Sequence, residues 1–249
     1  METVTAVMIT GKSRDRIPLA LAAIKSFNLQ VYPSKNLLIL NDGDYSLHEE
    51  SPELFNAAIS EIHIPHAPER TLGDLRNIGL EHVGKGNVLI QWDDDDWYHH
   101  KRIWEQMQLF TESGAEHPVT LAAQIRYSFS NDTAIMVYQP KQPNGDLRGI
   151  PGTILYRVPE FKYESARKHE DSWFFNKFSR VHVLNNFGTQ RFGISLPELY
   201  IRFEHGSNTW NAAHIMGKYS DPRRKHNWYI PEESKNYLRN ILDTHYLRS

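Results

Sequence analysis

Hydrophobic and polar positions in the first hundred residues follow two periods, which predict strands and helices in turn. Short apolar or β-branched runs predict strands, which we place at 4–10, 37–40, 61–64 and 87–92. Apolar residues spaced three or four apart predict helices between and after them, at 18–27, at 71–83 and from 103 onward. Strands that alternate with helices favour right-handed βαβ units and a mostly parallel sheet.

The second half of the chain is less periodic. Apolar runs predict further strands at 119–127, 134–138 and 153–157, and a helix at about 170–178. No internal repeat or linker-like stretch divides the 249 residues. We therefore predict one α/β domain, with a Rossmann-like, mostly parallel sheet flanked by helices and a smaller mixed half. Its expected parts are 1–115, 116–215 and a C-terminal segment at 216–249.

Composition excludes several classes of function. Zero cysteines leave no disulfide, thiol nucleophile or thiolate metal site. A formal net charge of −2 is not that of a polycation built to coat nucleic acid. No apolar run is long enough for a membrane span, and the first residues lack a signal-peptide pattern. We expect a cytoplasmic protein, or one that works in a host cytoplasm if a phage encodes it.

Polar motifs follow three of the predicted strands. Thr10 and Gly11 follow the first strand, and an Asn-Asp-Gly turn that contains Asp42 follows the second. Four consecutive aspartates, 93–96, follow the fourth; we name them the acidic run. Ligands of parallel α/β sheets bind at the carboxyl ends of the strands, so these motifs are candidates for one shared site.

The acidic run is costly unless something neutralises it. Neighbouring carboxylates repel each other and raise each other's pKa when no cation or hydrogen-bond donor lies among them. Strand alternation predicts Asp93 and Asp95 on one side and Asp94 on the other. Converging carboxylates suit Mg²⁺ or Mn²⁺ when a diphosphate supplies further oxygen ligands. An acidic turn or a helix N-terminus is the alternative interpretation.

Together these motifs resemble the GT-A fold glycosyltransferases of family 2. The shared order is a strand, a helix, the segment QVYP at 30–33, a strand ending in Asn-Asp-Gly, then Arg76-Asn77-x-Gly79, an apolar strand and Asp-x-Asp-Asp. The likeness covers about 4–103 well and continues more loosely to 169–171 and 202–210. It implies the GT-A fold, a nucleotide-sugar donor with UDP as the expected nucleotide, and Mn²⁺ or Mg²⁺ as cofactor.

The resemblance also implies roles for single residues. The implied donor-binding residues are Thr10, Gly11, Arg14, Asp42, Arg76, Asp93, Asp94 and Arg202. The implied metal ligands are Asp95, as the main one, with Asp93 and His205. Asp171, in the pair Glu170-Asp171 at the start of a predicted helix, would be the general base that takes the proton of the acceptor hydroxyl. Such a pair also suits a helix start without any catalytic role. The residues placed on the acceptor side are Gly152, Thr153 and Trp210.

The sequence therefore predicts a metal-dependent, inverting glycosyltransferase that moves a hexose or pentose from a nucleotide-diphosphate sugar to an acceptor hydroxyl. A surface glycan is the expected acceptor. Basic and aromatic residues at 218–229 also motivate a different acceptor, hydroxymethylated bases in phage DNA. Two further classes of protein stay open: a two-metal phosphotransferase or nuclease built on the aspartates, and a non-catalytic nucleic-acid-binding protein.

Overall fold

The computed structural model describes residues 1–11, 13–128, 133–138, 148–166, 169–185, 190–191, 194–195 and 199–204. The strands in this part of the chain are β1 (Val4–Thr10), β2 (Lys35–Asn41), β3 (Ile59–His63), β4 (Val88–Asp93), β5 (Asp96–Tyr98), β6 (Val119–Leu121), β7 (Ala123–Ser128), β8 (Thr133–Tyr138), β9 (Leu155–Arg157), β10 (His182–Leu184), β11 (Gln190–Arg191), β12 (Ile194–Ser195) and β13 (Tyr200–Glu204). The α-helices are α1 (Ile17–Asn28), α2 (Leu47–Glu50), α3 (Leu72–Val83), α4 (Arg102–Glu112) and α5 (Glu170–Asn176).

A seven-stranded sheet in the order β10-β6-β9-β4-β1-β2-β3 lies at the centre of these residues. Strand β1 pairs in parallel with β2 and β4, and β2 pairs in parallel with β3. Strand β9 runs antiparallel to both β4 and β6. The predicted α/β fold with a mostly parallel sheet is confirmed. Both predicted halves of the chain contribute strands to this sheet.

Apolar side chains cover both faces of the sheet, which explains the continuous hydrophobic runs of its central strands. On one face Met8 of β1 belongs to a buried cluster with Ile24 and Phe27 of α1. On the other face Val7 packs in a second cluster with α3 and α5. A Cβ atom at Gly79 would lie 2.8 Å from Val7 Cγ1, so glycine lets α3 approach β1 closely.

The start of α3 is set by a capping box. Thr71 Oγ1 accepts from the Asp74 backbone N–H at 3.2 Å, and Asp74 Oδ2 accepts from the Thr71 backbone N–H at 2.8 Å. This reciprocal pair satisfies N–H groups that the first helical turn leaves without partners. It fixes the helix on which Arg76 lies, one turn before Gly79.

A smaller sheet has the order β5-β13-β7-β8. Two of the predicted strands need correction. The single strand predicted at 119–127 is wrong: the chain breaks at Ala122 into β6 and β7, which belong to different sheets, and Ala122 N–H donates to Leu184 O at 3.1 Å. The strand predicted at 153–157 starts later because 151–153 form a 3-10 turn. None of the helices in the described ranges has the length and apolar character needed to cross a bilayer.

Candidate active site

The loops that follow β1 and β2 pack directly against each other. Gly11 has a φ of +141°, and a Cβ atom there would lie 2.3 Å from Asp42 Oδ1. A Cβ atom at Gly43 would lie 2.6 Å from Gly11 O, and Asp42 N–H donates to Thr10 O at 3.1 Å. Glycine is needed at both close approaches. The structure thus brings Thr10, Gly11 and Asp42 together at the carboxyl edge of the sheet.

A cavity of about 390 Å³ lies next to these loops, at the ends of β2 and β3. Arg14, Tyr45 and His63 are among the residues that line it. Arg14 is largely exposed, lies over the Tyr45 ring, and donates from Nη1 to Glu50 Oε1 at 3.5 Å. The structure therefore places Arg14, a predicted donor-binding residue, in this cavity.

The protein itself supplies cations to the acidic run. Arg16 Nε donates to Asp94 Oδ2 at 3.2 Å, and its Nη2 also donates to Asp94 Oδ1. The same Nη2 lies 3.1 Å from Asp95 Oδ2. Burial alone disfavours the charged guanidinium, but the charges of Asp94 and Asp95 outweigh it and raise the pKa of Arg16 above its usual value.

Asp93 faces a different arginine. Arg76 Nη2 lies 3.6 Å from Asp93 Oδ1, and Gln91 Nε2 donates to the same oxygen at 3.2 Å. The predicted alternation, which put Asp94 on the side away from Asp95, does not hold. Strand β4 ends at Asp93, and Asp94 and Asp95 form a turn, so these two side chains share Arg16 instead of alternating.

Asp96 is almost fully buried under β13. Its Oδ2 accepts from the Tyr200 hydroxyl at 2.5 Å, and its Oδ1 accepts from the Phe203 backbone N–H at 3.2 Å. Burial and the charge of Asp95 raise the pKa of Asp96 well above its usual range, while the charge of Arg202 opposes this rise. Arg202 was expected in a segment after a strand, but it lies within β13, paired in register with Asp96.

A fully buried arginine, Arg102, packs among aromatic side chains next to the acidic run. The Arg102 guanidinium lies 4.3 Å from the centre of the Tyr98 ring and close to the Trp92 and Tyr200 rings, in a cation–π arrangement. The Tyr98 hydroxyl accepts from Asp93 N–H at 2.6 Å. Burial lowers the pKa of Arg102. The aromatic residues thus connect a buried charge to the backbone of the acidic run.

Arg76 also reaches the predicted catalytic pair. Its Nε donates to Glu170 Oε1 at 3.2 Å, across 94 residues of sequence. Glu170 is buried, and burial raises its pKa against the opposing charge of Arg76. Asp171 is the second residue of α5, and its Oδ1 accepts from Ser172 N–H at 2.6 Å. Arg76 therefore joins the end of β4 to the start of α5.

The two predicted acceptor-side residues at 152–153 differ in what they can contact. A Cβ atom at Gly152 would lie 3.6 Å from both Asp93 Oδ2 and Gln91 Nε2, so Gly152 borders the acidic run. Thr153 is fully buried: its hydroxyl donates to Ile150 O at 2.7 Å and accepts from Leu121 N–H at 2.9 Å. The Thr153 side chain thus joins β6 to the 3-10 turn at 151–153 and is not available to an acceptor.

The carboxylates of the acidic run fit a divalent cation only as part of a shell. Asp93 and Asp95 keep partly exposed carboxylates, and carboxylate oxygens are the donors that Mg²⁺ and Mn²⁺ prefer. Within the residues that the structure describes, no group of three His, Asp or Glu side chains could hold a metal ion. His205, Trp210 and the segment 216–249 lie outside the described residues.

Solved structures with the same architecture are known. Staphylococcus aureus TarS, residues 1–349, in complex with UDP-GlcNAc, aligns over 99% of this chain and 67% of its own, with a TM-score of 0.61 and 13% identity. The GT-A fold is therefore confirmed. The described residues belong to a GT-A fold protein. A second TarS structure aligns over 81% of this chain with a TM-score of 0.56 and 14% identity, and this chain spans 37% of its length.

A mannosyltransferase also shares the fold. PcManGT from Pyrobaculum calidifontis, solved in complex with GDP-Man and Mn²⁺, aligns over 83% of this GT-A chain and 57% of its own, with a TM-score of 0.50 and 12% identity. No protein-family model and no curated protein matches the sequence. At these identities the likeness shows the fold, and the chemistry has to be argued from the site.

The sequence patterns did not predict two arginines that contact or adjoin the acidic run, Arg16 and Arg102. Arg16 lies two residues after Arg14, in the segment between β1 and α1. Strand β1 pairs with β4, so this segment begins next to the end of β4. Four aspartates at one strand end need cations, and a second arginine in an adjoining strand-end loop is the signal that could have found Arg16. Arg102 gave no such signal, because it begins an ordinary amphipathic helix.

Proposed function

We propose that this chain is a glycosyltransferase that moves a sugar from a nucleotide-diphosphate sugar, with UDP as the nucleotide, to an acceptor hydroxyl with inversion. The GT-A fold supports this, as do the UDP-GlcNAc, UDP and GDP-Man complexes of its structural neighbours. The observation that carries the proposal is the Arg76 bridge, which holds a carboxylate at the end of β4 and the acidic start of α5 at one place.

The donor side of the proposed site is the carboxyl edge of the sheet. Asp42, which packs against Gly11, would accept a hydrogen bond from the nucleotide base. Asp93 and Asp95 would hold a divalent cation, Mn²⁺ or Mg²⁺, together with the diphosphate. When bound, this cation supplies positive charge to the leaving diphosphate. Arg76 and Arg202 add fixed positive charge at the same edge and cost no reorganisation when charge develops.

Asp171 is the proposed general base. Glu170 is unsuited to that role because it is buried and its carboxylate is bonded to Arg76. Asp171 is partly exposed at the first turn of α5 and engages its own helix through Oδ1. A single base that removes the acceptor proton during in-line attack gives inversion at the sugar carbon. Glu170 would position Arg76 between the two parts of the site.

The acceptor is proposed to be a surface glycan. A Cβ atom at Gly152 would lie 3.6 Å from Asp93 Oδ2 and 3.9 Å from the Tyr200 hydroxyl oxygen, so an acceptor bound at Gly152 would lie beside the acidic run. The basic and aromatic residues at 218–229, which motivated a DNA acceptor, lie outside the described residues and add no support.

A screen of nucleotide sugars tests the proposal directly. The purified chain, supplied with Mn²⁺, should release nucleoside diphosphate from one donor class, and faster with an acceptor present. Asp171→Asn should remove the acceptor-dependent part. Glu160→Gln is the matched control, because Glu160 is an exposed carboxylate near the opposite end of β4 and should behave as wild type. If no nucleotide sugar binds the chain or is turned over, the proposed function is wrong.

A further inference from the structure

Arg16 contacts two aspartates of the acidic run in unequal ways. With Asp94 it forms a two-point pair, Nε to Oδ2 and Nη2 to Oδ1. With Asp95 it makes one contact, from Nη2 at 3.1 Å. A planar guanidinium matches a carboxylate best when two of its N–H groups donate to the two carboxylate oxygens. Asp94 is therefore the firm partner of Arg16, and Asp95 is the partner that can be exchanged.

Burial reinforces this difference. The Asp94 side chain is 6% exposed, and the Arg16 side chain is 10% exposed. Separating these two charges would leave each of them buried without a counter-ion, which is strongly unfavourable. The Asp95 side chain is 18% exposed, so it can turn toward another cation at a lower cost.

We propose that Arg16 is a built-in counter-cation of the acidic run, which competes with a divalent cation for Asp95 and so sets the affinity of the site for metal. This inference rests on the proposed function, since it concerns the same carboxylates. In the free protein Arg16 contacts Asp94 and Asp95 together and offsets one of their two negative charges. When a divalent cation arrives with the nucleotide diphosphate, Arg16 keeps Asp94 and gives up Asp95. The chain alone then holds metal weakly, and nucleotide and metal bind as a pair.

Two substitutions should change the affinity for metal in opposite directions. Asp94→Asn removes the firm partner, so Arg16 turns to Asp95 and Mn²⁺ should bind more weakly. Arg16→Met combined with Asp94→Asn removes the whole pair without leaving a buried charge, and it releases Asp95 from Arg16. A hydrogen bond to a charged group changes an affinity by about tenfold or more, so this double variant should bind Mn²⁺ about tenfold more tightly than wild type.

The measurement is Mn²⁺ binding to the full chain without nucleotide, followed by electron paramagnetic resonance of the free ion. The matched control neutralises the exposed Lys85–Glu160 ion pair by Lys85→Met with Glu160→Gln, near the opposite end of β4. Its affinity should stay at the wild-type value. Circular dichroism unfolding of each variant identifies any that fails to fold. In that case Arg16→Lys replaces the double variant, because a point charge cannot hold both carboxylates and should also strengthen Mn²⁺ binding.

Each pattern of Mn²⁺ affinities either supports or contradicts the competition between Arg16 and the divalent cation. Tighter binding by the double variant together with weaker binding by Asp94→Asn supports the competition. If both variants weaken binding, Asp94 is a metal ligand and the inference is wrong. If the control gains as much as the double variant, or if no variant binds Mn²⁺, the inference is also wrong. None of these results depends on turnover of a nucleotide sugar, so the proposed function can stand if this inference falls.

Discussion

Removing Arg76 should damage the protein in a way that depends on pH. Its guanidinium is 3.2 Å from Glu170 Oε1 and 3.6 Å from Asp93 Oδ1, and the side chains of Arg76 and Glu170 are 11% and 5% exposed. At an effective dielectric constant of about 20, a charge pair at the shorter distance attracts by roughly 5 kcal/mol before desolvation is subtracted. Arg76→Met leaves Glu170 buried without its cation, which typically costs about 3–5 kcal/mol of the free energy of unfolding.

The pH dependence follows from Glu170. Burial already raises the pKa of Glu170 in the folded protein, and loss of Arg76 should raise it further. An acid whose folded-state pKa is raised destabilises the fold when the pH lies above that pKa, and protonation relieves the penalty. The loss caused by Arg76→Met should therefore be largest at neutral pH and shrink as the pH falls through the folded-state pKa of Glu170.

Urea unfolding followed by circular dichroism measures this loss at neutral and mildly acidic pH. Arg76→Met with Glu170→Gln should recover about 1–3 kcal/mol relative to the single variant, because no buried charge remains. Lys162→Met, which breaks an exposed pair with Glu81, is the control and should change little. A loss below about 1 kcal/mol for Arg76→Met, or a loss that is the same at both pH values, would refute the bridge as the link between β4 and α5.

Three further predictions concern the proposed chemistry. Asp171→Asn should lower turnover by roughly 10²–10⁴ with donor affinity unchanged in calorimetry; an equal loss for Glu170→Gln alone would move the base to Glu170. Asp95→Ala should abolish Mn²⁺-dependent UDP binding in the same assay, and wild-type affinity would mean that the acidic run is only a turn. Gly11→Ala should weaken UDP binding even without Mn²⁺, because the new Cβ displaces Asp42; unchanged binding would separate this loop from the nucleotide.

The elements that the sequence predicted well are those with local causes. Continuous apolar runs predicted β1, β2 and β4, because a strand buried on both faces needs them. The helix predicted at 71–83 begins where its cap places it, and the cap is local, because all atoms of the Thr71–Asp74 pair lie within one helical turn. The convergence of Thr10, Gly11 and Asp42 also follows from a local rule, since parallel strands end at one edge.

The errors have non-local causes. Whether an apolar run is one strand or two depends on which distant strands pair with it, and the break at Ala122 is set by Leu184. The sides taken by Asp94 and Asp95 depend on where β4 ends and on an arginine 78 residues earlier in the chain. The Thr153 hydroxyl accepts a hydrogen bond from Leu121 N–H, which is distant in sequence, and a local pattern of small residues does not predict such a contact.

The acidic run is also the crossing point between the two sheets. Asp93 is the last residue of a strand in the seven-stranded sheet, and Asp96 is the first residue of a strand in the four-stranded one. The intervening turn, Asp94 and Asp95, therefore connects the two sheets. Replacing the four-stranded sheet with that of another GT-A protein would change the angle between the two sheets at this turn. We expect such a chimera to keep its activity only when β5 and β13, which pair with each other, come from the same protein.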